Sequence, residues 1–241
     1  MLRVAVIGYR GRMGSTVCAA VEADPELELV ARIGSTDGLG LVLDAGADVA
    51  VEFTVPTSVK ANTVWLLERG VHTVVGATGL SDADLEELTG IAGPANCFVA
   101  PNFAVGAVLM MRMAELCARH FDLAEVIELH HERKVDAPSG TALRTARMIG
   151  AARAKNGLGA PIPAPSDHPA RGLAVDGVPV HSVRLPGIVA SHEVVFGGPG
   201  QTLRIRHDSI DRSSFMPGVL LAIKRVASLP GLTVGLDALL G

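Results

Sequence analysis

Aromatic residues are scarce in this chain of 241 residues: one tryptophan, one tyrosine and six phenylalanines make up 3 % of it. Basic residues are not in excess either, with 21 Lys+Arg against 25 Asp+Glu and a formal net charge of −4. A protein without a basic stripe or interleaved stacking rings lacks the footprint of a nucleic-acid binder, so no nucleic-acid partner is expected. Long apolar runs are missing as well. The stretch from Phe103 to Met111 is cut by Arg112, far short of the roughly 20 residues that span a bilayer, so no membrane partner is expected. Three cysteines, Cys18, Cys97 and Cys117, are odd in number and show no Cys-x-x-Cys spacing; this excludes a disulfide framework and a zinc site, and no metal is expected. Met1-Leu-Arg-Val-Ala-Val-Ile7 reads as a strand running into a glycine turn rather than as a signal peptide, and a cytoplasmic location is expected.

What the chain does have is 49 % apolar residues, enough for the core of one large domain or two ordinary ones. Strand-like runs at Arg3–Ile7, Leu27–Ile33, Asp48–Phe53, Val71–Val75 and Cys97–Ala100 alternate with helix-length segments at Met13–Glu22, Ser58–Arg69 and Ser81–Ile91. Runs apolar throughout suit a parallel sheet covered on both faces, so the first part is expected to be a Rossmann-like, doubly wound α/β domain. After the helical run Val105–Ala118 the pattern changes. A strand ending in two histidines and a helix are followed by a Pro/Gly/Ala-rich stretch, Gly157–Gly177, that reads as a mobile loop, and then by runs near Val180–Arg184, Ile188–Phe196 and Thr202–His207. Their short turns, Pro186-Gly187 and Gly197–Gly200, predict a second α+β domain on a mixed or antiparallel sheet. The expected division is 1–104 plus about 215–241 for one domain and 105–214 for the other.

Gly8-Tyr9-Arg10-Gly11-Arg12-Met13-Gly14 follows the first strand and opens the first helix, the setting in which glycines let a dinucleotide pyrophosphate approach the backbone and a helix N-terminus. The spacing is G-x-x-G-x-x-G, so position carries the reading more than the motif does. In NAD sites a carboxylate about 20 residues past the glycines binds the adenosine ribose and repels a 2′-phosphate. Here Gly34 stands at that place, with Ser35, Thr36 and Asp37 after it. The expectation is that Gly34 exposes backbone amides, that Asp37 lies too far along the loop to substitute, and that NADPH is used at least as readily as NADH.

The densest chemistry lies in Glu128-Leu-His130-His131-Glu-Arg-Lys134-Val-Asp136-Ala-Pro-Ser139-Gly140-Thr141. Ser139 is placed to cap a helix over Gly140–Ala152, whose first amides attract a carboxylate. Two histidines and a lysine next to such a cradle supply proton donors and fixed positive charge for an anionic substrate. Strand alternation puts Glu128 and His130 on one face and His131 on the other, so the two histidines should not share a role. His130 reads as the proton donor and Lys134 as its partner. Arg184 and Arg212 are further basic candidates near the second domain, each reading first as an ordinary surface ion pair.

With these motifs in place the chain closely resembles the 4-hydroxy-tetrahydrodipicolinate reductases of diaminopimelate and lysine biosynthesis, in their short actinobacterial form. The resemblance spans nearly the whole chain. It rests on Val6–Gly14, Glu52-Phe-Thr54, Val75–Gly79, Ala100–Phe103 with Gly106, and above all Glu128–His131 with Lys134–Thr141. It implies a reductase that uses NADPH, NADH or both on a small dicarboxylate, working as a homotetramer built through the second domain's sheet. It implies cofactor contacts from Gly8 to Met13, from Gly76, Ala77 and Thr78, and from Ala100, Pro101, Asn102 and Phe103. His130 and Lys134 become acid-base residues, while His131, Lys134, Gly140 and Thr141, with Ser139 beside them, hold substrate carboxylates. Gly34 and Ala77 depart from the family, which carries Asp or Glu near the first and commonly Thr at the second. Two other readings remain open: another two-domain NAD(P)-dependent dehydrogenase of aspartate-derived metabolites, and a dinucleotide-sensing module without turnover.

Overall fold

The computed structural model describes residues 1–91, 94–158 and 168–241. The chain divides into two compact units, Met1–Val105 with Arg212–Gly241, and Gly106–Asp211. Its first unit begins β1 (Leu2–Ile7), α1 (Arg12–Ala23), β2 (Leu27–Ile33), α2 (Gly40–Asp44), β3 (Val49–Glu52), α3 (Pro56–Leu67), β4 (His72–Val75), α4 (Asp82–Thr89) and β5 (Cys97–Val99). The second unit follows with α5 (Val105–Cys117), β6 (Leu123–His130), α6 (Gly140–Lys155), β7 (Leu173–Val175), β8 (Val178–Arg184), β9 (Ala190–Gly198) and β10 (Gln201–Ser209). Finally α7 (Met216–Arg225) and β11 (Leu232–Val234) add to the first unit.

In the first unit six strands pair in the order β11-β5-β4-β3-β1-β2, every pairing parallel. Val4, Ala5, Val6, Val49, Ala50 and Val51 are wholly buried, as expected when helices cover both faces of a parallel sheet. The order reverses direction between β1 and β3, and at such a switch point the loops leaving the carboxyl ends of the strands diverge and open a crevice. Helix starts are set locally. Pro56 occupies the first turn of α3, where a missing N–H costs nothing. Ser81 and Asp84 form a reciprocal capping box on α4, satisfying two amides that the helix leaves open.

The second unit's sheet has the order β10-β9-β6-β8-β7, with β6 parallel to β8 and antiparallel to β9. Along β6, Ala124, Val126 and Glu128 are buried while Glu125, Ile127 and Leu129 are half-exposed, which is the period-two signature of a strand with one covered face. Two expectations need correction. Pro186-Gly187 does not join neighbouring strands, because β6 lies between β8 and β9; the pairing is settled by a long strand from earlier in the chain, which a local turn signal does not report. Within the stretch read as a mobile loop, Leu173–Val175 forms β7 against β8, held by backbone pairing rather than by an apolar pattern; residues 159–167 of that stretch lie outside the described residues. Helix α2 was not foreseen, being a short helix with a single buried residue, Val42.

Packing around the first turn is tight. Gly8 has φ +85°, a left-handed conformation that side chains disfavour. A Cβ built on Gly14 would lie 2.1 Å from the Gly8 carbonyl oxygen, a clash with backbone that no rotamer relieves. We expect Gly14→Ala to lower stability by about 2 kcal/mol or more, in the range of overpacked positions. Urea unfolding followed by circular dichroism measures this, and an alanine variant as stable as wild type would contradict the close approach.

Candidate active site

The carboxyl ends of β1 to β4 open into a cleft of about 760 Å³ in the first unit. Gly8, Arg10, Gly11, Arg12 and Met13 line it after β1; Gly34, Ser35 and Asp37 line it after β2; Gly76, Ala77 and Thr78 line it after β4. Helix α1 begins there with Gly11 at its N-cap, no side chain capping it and no acid in its first turn. Uncapped amides at the positive end of a helix dipole fit a pyrophosphate. Tyr9 stands beside the cleft, its hydroxyl accepting a hydrogen bond from Arg10 Nε at 2.9 Å.

Below the cleft lies a carboxylate that sequence reasoning did not assign. Glu52 is wholly buried, accepting from the Thr54 amide at 3.2 Å, from the Thr54 hydroxyl and from Asn62 Nδ2 at 3.2 Å. Burial pushes its carboxyl up, only partly offset by Thr54 and Asn62. The Glu52 acceptors fix the turn Phe53-Thr54, and the Phe53 ring fills the space over Gly76, where a Cβ would come within 2.2 Å of it. Gly76 is therefore a packing requirement of this crevice. Ala100 to Phe103 sit at the end of β5 and are not among the residues lining the cleft. Asn102 Oδ1 accepts the Ala104 amide at 2.8 Å, and the buried Phe103 ring packs 6.1 Å from both Phe53 and Phe98. Pro101 is exposed and the Ala100 amide donates to the Val75 carbonyl at 3.1 Å.

The end of β2 corrects an expectation. The Gly34 amide is not exposed for a phosphate: it donates to Asp37 Oδ2 at 2.8 Å. Asp37 also is not too far along the loop, since residues 34–37 form a turn closed by Asp37 N–H to the Gly34 carbonyl at 3.3 Å, which folds the carboxylate back to the strand end.

The second unit gathers the histidine-lysine segment around Glu128, whose side chain has no exposed surface. His130 Nδ1 meets Glu128 Oε2 in a short contact. Arg184 forks onto both oxygens, at 2.7 Å and 3.0 Å, and the Ser139 amide donates to Oε1 at 3.3 Å. Burial alone would raise the Glu128 carboxyl, but hydrogen bonds from His130, Arg184 and Ser182 outweigh it and bring it down to about 2. A carboxylate bound to Nδ1 keeps a proton on that nitrogen and fixes the ring's orientation, so Nε2 is the nitrogen left for another partner. Arg184 is thus no surface ion pair. Its side chain is 18 % exposed, and it also donates to the Lys134 carbonyl at 3.3 Å and the Asp136 carbonyl at 2.8 Å. One guanidinium holds both the histidine's carboxylate and the loop that carries Lys134.

Lys134 Nζ lies 2.8 Å from Asp136 Oδ1, a pairing that lowers the Asp136 carboxyl. His131 follows the end of β6 and is half-buried, its carbonyl accepting the Lys134 amide at 3.1 Å. Ser139 is buried and caps α6 through Ala142 N–H at 3.3 Å; Gly140 and Thr141 are the first residues of that helix. Arg212 opens the single helical turn Arg212–Phe215 in the first unit. Sequence reading also missed His192 on β9, directly opposite Glu128 and beside His207 on β10. His192 is 5 % exposed and its Nε2 has no partner among the described residues. The available signal was its place at an inward strand position next to a charged row.

Two family descriptions cover the chain: "Dihydrodipicolinate reductase, N-terminus" matches residues 2–103, and "Dihydrodipicolinate reductase, C-terminus" matches residues 106–240. The chain belongs to the dihydrodipicolinate reductase family. It is 57 % identical to the 4-hydroxy-tetrahydrodipicolinate reductase of Thermobifida fusca, with all of both chains covered. It is 54 % identical to that of Nocardia farcinica, over 99 % of this chain and 98 % of the relative. A solved structure, dipicolinate-bound dihydrodipicolinate reductase from Paenisporosarcina sp. TG-14, superposes with a TM-score of 0.85 at 38 % identity over the whole of both chains. The N-terminal domain of this family is a dinucleotide-binding domain, and the fold is the Rossmann-like sheet with a second, mixed sheet that the strand patterns predict.

Burial of His192 has a measurable consequence. The imidazole titrates near 6.5 in the unfolded chain, and desolvation brings it down to about 4 in the fold. Between those values the unfolded chain binds the extra proton, so stability present at neutral pH is lost as pH falls from 6.5 through 4. At about 1.4 kcal/mol per pH unit, the limit for one such group, this amounts to roughly 3 kcal/mol in all. We expect His192→Gln to flatten the fall in unfolding free energy between pH 6.5 and about pH 5, a window above the range where Glu128 titrates. Denaturant melts at several pH values measure it; an unchanged slope would exclude His192 as the group responsible.

Proposed function

We propose that this chain is a 4-hydroxy-tetrahydrodipicolinate reductase: it converts the cyclic dicarboxylate formed from pyruvate and aspartate semialdehyde to tetrahydrodipicolinate, with loss of water, on the route to diaminopimelate and lysine. The observation that carries the reading is the Glu128–His130 contact and the Glu128–Arg184 pair, in a chain whose whole length matches the family. A nicotinamide bound in the first unit would supply a hydride to one ring carbon. The remaining chemistry falls to the chain's own groups. Loss of the ring hydroxyl with a proton from the adjacent carbon, as water, leaves a carbon–carbon double bond conjugated to the imine. Hydride adds to its far carbon and builds electron density; the resulting enamine takes a proton at the neighbouring carbon, which the imidazolium form of His130 can give from Nε2–H while Glu128 holds Nδ1–H. Lys134 supplies the positive charge that stabilises this density. His131, Gly140 and Thr141 hold the substrate carboxylates, with Ser139 shaping the helix start that presents them.

On this reading residues 1–104 with about 215–241 form the dinucleotide-binding domain, and 105–214 form the substrate and oligomerisation domain. The protein works in the cytoplasm as a homotetramer. Half-exposed Ile127, Leu129, Val183 and Val195 on the sheet of the second unit support such a contact, since aliphatic residues on an open face favour burial against a second copy.

The test follows NADH and NADPH absorbance with freshly formed condensation product; a folded wild type that oxidises neither would end the proposal. Removing a proton donor lowers kcat by about 10²- to 10⁴-fold, and this is the expected result for His130→Gln and Lys134→Ala. Thr141→Val should instead raise KM with kcat nearly kept. Near-wild-type kcat in His130→Gln would reassign the donor.

A further inference from the structure

We propose that Asp37 reads the adenosine ribose in this chain, taking over from the strand-end position that Gly34 leaves without a side chain, and that it makes NADH the preferred cofactor. The inference rests on the dinucleotide reading of the first unit's cleft. Asp37 lines that cleft together with Gly34, Ser35 and Arg10. Its Oδ2 is fixed by the Gly34 amide at 2.8 Å, and the same oxygen lies 3.2 Å from where a Cβ on residue 34 would be. Standard bond lengths carry a glutamate's carboxylate oxygens about 3 Å beyond its own Cβ. The Asp37 Oδ2 thus lies within the reach of an acid rooted at position 34.

Glycine at 34 is what lets it do so. A Cβ there would also meet Tyr9 Cε1 at 3.3 Å and Arg10 Nε at 3.4 Å, so any side chain at 34 competes with Asp37 for one site. The absent acid and the folded-back acid are a single arrangement. An ionised carboxylate offers about four acceptor positions; among the described contacts Asp37 uses one side-chain oxygen, for the Gly34 amide. The rest suit the vicinal hydroxyls of an unphosphorylated ribose and repel a 2′-phosphate. Arg10 pulls the other way, but it is a fully solvated side chain whose Nε is given to Tyr9, and exposed charge pairs count for little. The anchored carboxylate outweighs it.

Equilibrium binding of NADH and NADPH to the wild type, Asp37→Asn and Gly34→Ala, followed by nicotinamide fluorescence alongside kcat/KM, decides the matter. Asparagine keeps an acceptor for the Gly34 amide and removes only the charge. The wild type is expected to bind NADH about tenfold or more tightly than NADPH, and Asp37→Asn to bring the two Kd values within about threefold, chiefly by tightening NADPH. Gly34→Ala should weaken NADH by displacing Asp37. Raised salt should narrow the wild-type ratio. Equal binding of both cofactors by the wild type, or an unchanged ratio in Asp37→Asn, would overturn the role given to Asp37 while leaving the dinucleotide reading intact. Wild type that binds neither would overturn that reading and this proposal together.

Discussion

The second unit is organised by one buried carboxylate and the guanidinium that answers it. Glu128 and Arg184 are 56 residues apart in sequence and meet because β6 and β8 pair in parallel, with His130 opposite Arg184 and Glu128 opposite Ser182. Taking a carboxylate fully out of water costs several kcal/mol, and a forked guanidinium with further donors recovers that cost without a large surplus. The pair is therefore better understood as an organiser than as a source of stability. Losing either partner would strand a buried charge, a loss of about 3 to 5 kcal/mol. That penalty holds His130 to a single orientation and ties the Lys134–Asp136 loop to the sheet.

The first unit achieves order by close approach instead of charge. Gly8 and Gly76 both abut Phe53, whose carbonyl would be 2.6 Å from a Cβ on Gly8, and Glu52 fixes the turn that presents this ring. Gly8 meets the Phe53 backbone and Gly76 meets its ring, so the glycine-lined stretches of the crevice wall at the carboxyl ends of β1 and β4 are main chain. Main-chain amides cannot swing away, so such walls suit the fixed phosphates of a dinucleotide better than flexible side chains do.

Legibility in the sequence follows how local each cause is. The β-α-β alternation is readable because Val4–Ile7 and Val49–Val51 are unbroken apolar runs, and even Leu27–Ile33, which carries Glu28 and Arg32, falls where the pattern predicts. The glycine turn and the His130–Thr141 segment were readable because their chemistry is contiguous. Arg184 was misread because its partner is set by strand pairing, and nothing near residue 184 marks it. Asp37 is hidden for the opposite reason: three residues along the chain read as distance, whereas a turn brings its side chain back to the strand end. β7 escaped notice because a three-residue edge strand is held by backbone pairing and carries too few side chains to show a period.

Two of the ion pairs of the second unit differ in permanence. Glu128 and Arg184 are bound in a buried fork, whereas Lys134 meets an Asp136 side chain that is 59 % exposed. A pair so open to water is worth about 0 to 1 kcal/mol. On the proposed reading, a dicarboxylate arriving at Lys134 displaces Asp136 at little cost, while the fork keeps the lysine's own backbone in place through its carbonyl. Fixing the backbone and leaving the ammonium exchangeable gives the site a cation that is positioned before binding yet available on binding. His192, whose Nε2 has no partner among the described residues, stays out of this exchange, since burial keeps it neutral and the oxygens of Glu128 are already engaged by His130 and Arg184.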